Sequence, residues 1–367
     1  MLNMVDISNM HTVEPKIDEY LERVYRISRS FGTKRSYHCT LKKFEKFCNC
    51  KSSLPNVLYD LKNGKQDPID VLDEFYSFLS KQHLKNSTII GNLSVTKDYL
   101  NFHGMKIYSE DIKQKFRTPK PDVFYEEGLT KSTLNRLLQN CVPKLRVAIL
   151  MACSSGMRVG EIAQLRLSDV DFTTNPTTIR VRRETTKTRE TRFTHISTEA
   201  SKLLSDYITK KTLNTQSLDP YLFMYFDDEF GSFEYYKSMF AARQTLMERL
   251  RETVLHIPEL SMKNENGQNR IHFHAFRKWF KTQVTTAGQS DFAEALMGHK
   301  SLKLVYFKQS TEARQKMYQQ MEPFLTLSDF TRVEKTMEDL QGQVQSLSLE
   351  LEKVKQWRDI SVKYQKR

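Results

Sequence analysis

Apolar positions from residue 13 to about 105 recur at steps of three and four, the spacing of amphipathic helices. Ile17, Tyr20, Leu21, Val24 and Ile27 share one face and predict a helix over 13–29. The FGT triplet at 31–33 interrupts it, and Thr33 is placed to cap a second helix. That helix carries Tyr37, Leu41, Phe44 and Phe47 on one face, with Lys34, Arg35, Lys42, Lys43 and Lys46 largely on the others. The same spacing predicts helices over 68–79 and 87–102, while 48–67 holds turn residues with little periodicity. A four-helix module with basic faces is therefore expected over 1–110. The stretch DIKQKFRTPKPDVFYEE at 111–127 contains two prolines and reads as an interdomain linker.

The pattern resumes at Leu129, with Thr130 as a cap for KSTLNRLLQN, and Gly156 closes the helix LRVAILMACSSG. MRVGEIAQLRLSDV reads as a further helix. Over 177–196 apolar and polar residues alternate, with Ile179, Val181, Phe193 and Ile196 as the apolar set, which predicts two short strands around the basic turn ETTKTRET. Helices are expected again over 199–211 and 232–255, in HAFRKWFKTQVTTAG, in SDFAEALMG and over 310–321. After Pro323, Val333, Met337, Leu340, Val344, Leu347, Leu351 and Val354 recur at steps of four and three. They fit either a coiled-coil seam or one amphipathic helix docked on the body. The chain reads as mainly α with a small β-hairpin or sheet (α+β), divided into 1–110, a linker at 111–127, a body at 128–325 and a C-terminal helix at 326–367.

Composition narrows the function. Lys plus Arg number 57 against 44 Asp plus Glu, a net charge of +13, which favours nucleic acid over an anionic membrane surface as partner. There is no apolar run of membrane-spanning length and no basic-then-apolar leader at the N-terminus, so neither a membrane span nor secretion is expected. The five cysteines include no CxxC pair, and the spacing of His38, Cys48 and Cys50 is wrong for the usual zinc modules. A reducing cytoplasm fits that usage. GxxxxGK[ST], HExxH and GxSxG are missing, and acidic residues do not cluster as a two-metal site needs, so no metal or cofactor is expected.

What remains is a set suited to phosphodiester chemistry. Arg158 follows a glycine turn, Lys187 lies on the predicted hairpin, and then come His274, Arg277, His299 and Tyr306. Guanidinium groups can fork across the non-bridging phosphate oxygens, lysine can protonate a leaving oxygen, and histidines can move protons. A tyrosine hydroxyl can attack phosphorus and form a covalent ester that preserves the bond for rejoining. In order, surroundings and spacing this set, with SSGMRVGEIAQLRLSDVDF, HAFRKWFKTQV and ALMGHKSL, resembles the tyrosine recombinase (phage integrase) family over about 300 residues. Its flavour is most similar to integrases of archaea and their mobile elements.

The resemblance implies a helical core-binding domain at 1–110 and a catalytic domain at 128–325. It implies cleavage and rejoining of double-stranded DNA through a 3′-phosphotyrosine, without metal, by a homo-tetramer on two DNA sites. Arg158, Lys187, His274, Arg277 and His299 then take the catalytic positions, and Glu161 is the acid that follows the first arginine, in a structural role. Lys187 stands five residues before Arg192, the usual offset, but its turn lacks the common glycine. The family's nucleophile lies about nine residues beyond the GH histidine; here Tyr306 lies seven beyond and Tyr318 nineteen beyond. Tyr306 is the expected nucleophile and Tyr318, on a helical stretch where packing explains it, the alternative. Two other readings stay open: a DNA-binding protein of this fold that has lost catalysis, and a type IB topoisomerase-like relaxing enzyme.

Overall fold

The computed structural model describes residues 13–115, 120, 124–212, 220–224, 232–265, 267–299, 309–327, 344–348, 350–352 and 355. The chain forms two compact units, Met1–Phe124 and Tyr125–Arg367, whose boundary falls inside the stretch read as a linker.

The first unit is built from α1 (Ile17–Ser28), α2 (Phe31–Asn49), α3 (Leu54–Lys62), α4 (Pro68–Ser80), α5 (Asn86–Phe102) and α6 (Ser109–Lys115). Arg29, in the left-handed region at φ 48°, ends α1. The cap of α2 is Ser30 rather than Thr33: its hydroxyl accepts the Thr33 N–H at 3.2 Å, so the FGT triplet forms the first turn instead of a break. Helix α3 lies where a loop was expected. Ser53 caps it, Pro55 suits its first turn, and Leu54, Val57, Leu58 and Leu61 bury one stripe. It is one short run among Ser, Pro, Asn and Gly residues, too brief for its period to stand out. α6 likewise extends into the start of the expected linker, with Glu110 and Asp111 in its first turn and Lys113 and Lys115 in its last, matching the helix dipole. The core gathers Tyr20, Leu41, Phe44, Phe75, Leu79, Tyr99 and Leu100, with Phe44 edge-on to Phe75 at 5.2 Å.

The second unit contains α7 (Lys131–Gln139), α8 (Pro143–Ser155), α9 (Val159–Ala163), the strands β1 (Val170–Asp171), β2 (Thr178–Val181) and β3 (Arg192–His195), then α10 (Thr198–Thr212), α11 (Phe233–Leu255), α12 (Phe273–Thr286), α13 (Ser290–Met297) and α14 (Thr311–Leu325). α8 is apolar on nearly every side and forms the centre, packed against α10 and α12. Thr130 caps α7 as expected, accepting the Thr133 N–H at 3.1 Å.

The three strands form one antiparallel sheet in the order β1-β2-β3, with Val170 opposite Ile179 and Val181 opposite Arg192. The expected hairpin is thus present, but the helix expected over 157–170 is cut to the five residues of α9. Leu165 and Leu167 turn their backbone groups outward, to Leu222 N–H (2.7 Å) and Pro220 C=O (3.1 Å). The Asp169 carboxylate then takes the Arg166 N–H at 3.0 Å, and the chain enters β1. These partners lie some 55 residues away in sequence and leave no local signal.

Of the C-terminal seam, Val333, Met337, Leu340 and Val354 lie outside the described residues. Val344, Leu347 and Leu351 are helical and face solvent, so the described part of the seam is not docked on the body. Among the described residues no helix is long and apolar enough to cross a membrane.

Candidate active site

The site begins where α8 ends. Gly156 takes φ 64°, and a Cβ there would lie 2.5 Å from the Phe280 ring, so only glycine permits this turn against α12. Two residues on, Arg158 is the extended residue that starts α9. Its backbone N–H donates to Glu161 Oε2 at 2.8 Å and its Nη1 to Oε1 at 3.0 Å. From the first position of β3, Arg192 donates to the same two oxygens, at 2.7 Å to Oε2 and 3.2 Å to Oε1.

Glu161 is only 2% exposed. Burial pushes its carboxyl up, but the hydrogen bond and charge of Arg192, followed by Arg158, carry it below the usual carboxylate range. It is therefore an ionised, buried strut between two arginines.

Arg277, on the second turn of α12, is also 2% exposed. Its guanidinium donates to the Gly156 carbonyl and, at 2.8 Å, to the Met297 carbonyl. Burial, then the neighbouring Arg158, pushes it down to about 9, so it stays cationic at neutral pH. Met297 closes α13, and Gly298 follows at φ 67°; a Cβ there would lie 2.8 Å from Arg192 Cδ. Arg192 also donates Nε to the Leu296 carbonyl at 2.9 Å. His299 comes next, held by its N–H to the Glu294 carbonyl at 3.1 Å. Burial, then the charges of Arg277, Lys281 and Arg158, lower its imidazole.

The fold therefore brings together Arg158, Glu161, Arg277 and His299 of the expected set, and adds Arg192, which the sequence marked only as a spacing reference. Two guanidinium groups, those of Arg158 and Arg192, bind one carboxylate and that of Arg277 lies near Arg158, which leaves two net positive charges beside two glycine turns. That is a cradle for a phosphate and for the extra charge of its transition state. His274 precedes Arg277 by one helical turn and is exposed; burial of its ring, Lys278, His272 and Arg277 lower it, while Glu126 opposes them. Lys187 is exposed on the connection between β2 and β3.

Tyr306 lies outside the described residues. Tyr318 is a core residue: its ring is fully buried, 5.4 Å from that of His195, and its hydroxyl donates to the Ser154 carbonyl at 2.7 Å. Burial raises it far above the ordinary tyrosine range. In this structure the hydroxyl is held within the core of the second unit. Among the described residues no three His, Cys, Asp or Glu side chains gather as a metal-ligand set.

No curated protein matches the chain. Among solved structures it is similar to the lambda integrase (75–356) dimer bound to a COC′ core site, at 17% identity over 83% of this chain and 95% of that one, with a TM-score of 0.55. The Tn1549 transposon integrase in complex with transposon right end DNA matches at 17% identity over 82% and 97%, with a TM-score of 0.53. The lambda integrase tetramer bound to a Holliday junction matches at 16% identity over 80% of each chain, with a TM-score of 0.54. At these identities the likeness is one of fold. The model of the phage integrase family matches residues 127–311, half of the chain and the whole arginine-lined site, and the chain accordingly belongs to that family of tyrosine-type site-specific recombinases.

Proposed function

We propose that the protein cuts and rejoins double-stranded DNA at specific sites through a 3′-phosphotyrosine formed on Tyr306. The closeness of Arg158 and Arg277, with Arg158 fixed by the Glu161 strut that Arg192 shares, carries this reading. Arg158 and Arg277 hold the non-bridging oxygens of the scissile phosphate and stabilise the charge that grows on them. Tyr306 attacks phosphorus, its oxygen–phosphorus bond forms as the bond to the 5′ oxygen breaks, and Lys187 gives that oxygen its proton. His274 and His299, both lowered and so neutral at pH 7, act as proton acceptor and hydrogen-bond donor rather than as cations. The reverse steps, with a new 5′ hydroxyl, rejoin the strand.

The positive side chains supply the stabilisation that a metal would otherwise give, so cleavage runs without one. A core-binding domain (1–110) and a catalytic domain (128–325), joined by 111–127, each contact the duplex. Four protomers on two sites complete an exchange, an arrangement supported by the lambda integrase tetramer in its Holliday-junction complex. A reducing cytoplasm suits the five cysteines, all of them free.

A duplex nicked beside the cleavage point loses its short 5′ fragment and traps the intermediate. A covalent protein–DNA adduct that persists in EDTA is expected. Tight binding with no adduct makes the protein an occupancy factor, and strict dependence on Mg²⁺ makes it a metal nuclease.

A further inference from the structure

The turn that carries Lys187 is anchored at both stems by an arginine. Val181 and Arg192 face each other across the ladder, so residues 182–191 leave the sheet and return at that pair. At the outgoing stem Arg182 pairs with Asp169 Oδ2 at 3.1 Å and donates to the Gln164 carbonyl at 2.6 Å. At the returning stem Arg192 grips Glu161 and the Leu296 carbonyl. Asp169 and Glu161 are both buried, and both arginine side chains are largely shielded from solvent.

Between the stems the backbone is stiffened from within. The Thr185 and Thr186 hydroxyls donate to the Arg182 and Arg183 carbonyls at 2.9 and 3.0 Å, and the Glu190 N–H returns to Thr186 Oγ1 at 3.2 Å. Lys187 stands five residues from each anchor.

The acidic partners and Gln164 all belong to residues 161–169, the segment that Arg158 opens. The bidentate Arg192 fork on Glu161, and the Arg182 ion pair with Asp169 together with its bond to the Gln164 carbonyl, tie the Lys187 turn to the segment that presents Arg158. We propose that Arg182 and Arg192 are positioning residues that deliver the Lys187 ammonium to the leaving 5′ oxygen. They act on the rate through that proton transfer. The proposal rests on Lys187 being the proton donor.

In the cleavage step the phosphorus–O5′ bond breaks and O5′ takes a proton from Lys187. With sulfur in place of that bridging oxygen, the leaving group departs as a stable thiolate and needs no proton. Single-turnover cleavage of nicked duplexes with bridging oxygen or bridging sulfur is the test, for the full chain and for Lys187→Ala, Arg182→Gln and Arg192→Lys. On the oxygen substrate Lys187→Ala is expected to lose roughly 10²-fold or more, and the arginine variants about 10- to 100-fold, the scale of a small misplacement. On the sulfur substrate all three are expected to return to within a few-fold of the unaltered protein.

Arginine variants equally slow on both substrates, with Lys187→Ala rescued, overturn the positioning role alone. Failure to rescue Lys187→Ala overturns the Lys187 assignment itself. Arg192→Lys keeps a cation beside Glu161, and Arg182→Lys keeps one beside Asp169. If Arg182→Gln fails to fold, Arg182→Lys takes its place, judged by the same sulfur-to-oxygen ratio.

Discussion

Arg158 and Arg277 carry the same charge in different settings, and the two settings predict different mutants. Arg158 is partly exposed, and its Glu161 partner retains Arg192. Arg158→Ala is expected to fold and to bind DNA, while adduct formation falls by on the order of 10²–10³; near-normal cleavage would remove Arg158 from the site. Arg277 also holds the Gly156 and Met297 carbonyls, so Arg277→Ala costs stability as well as cleavage. Each buried carbonyl left unpaired costs about 1–3 kcal/mol, which urea unfolding would register. The sequence singled out Arg158 and Arg277 through SSGMR and HAFR, and the fold sets the two near each other. It did not show that Arg277 doubles as a brace, because its two acceptors lie 121 and 20 residues away. Nor did it show Glu161 shared between two arginines, one of them 31 residues distant.

At the scale of elements, helices with long apolar stripes were legible and those set by distant partners were not. α8, α11 and α12 stand where their periodicity puts them. α9 stops early because its continuation pairs with residues 220–222, and β1 follows from that pairing. α3 was hidden by its turn-rich neighbours. The junction of β3 and α14 has a pH signature of its own. His195 sits against Tyr318, and burial pushes its imidazole from 6.5 down to about 4. Above pH 6.5 the ring is neutral whether folded or unfolded. As pH falls from 6.5 towards 4 only the unfolded chain takes up the proton, so stability is lost in that window. Unfolding free energy is expected to drop by about 2 kcal/mol between pH 7.5 and 5 from this group. His195→Asn should flatten that part of the profile, and an unchanged slope would show that His195 titrates normally.

For the whole molecule, the net charge of +13 and the two units set the behaviour on DNA. Binding led by phosphate contacts should weaken roughly 10³-fold or more between 50 and 200 mM salt, read by titration against a labelled duplex. A shallow salt dependence would mean few phosphate contacts. The exposed Val344, Leu347 and Leu351 suit contact with another protomer, so truncation after Ser328 should reduce assembly on paired sites more than binding to one. Equal loss in both assays would place the segment in DNA binding instead. An attack by Tyr306 on an arginine-held phosphate leaves its mark on one residue, the tyrosine of the trapped adduct. After proteolysis and nuclease digestion in EDTA, mass spectrometry is expected to find the nucleotide on the peptide containing Tyr306, and none in Tyr306→Phe. A nucleotide on Tyr318 or any other residue, or no covalent product from a protein that binds its site tightly, would show that Tyr306 is not the nucleophile.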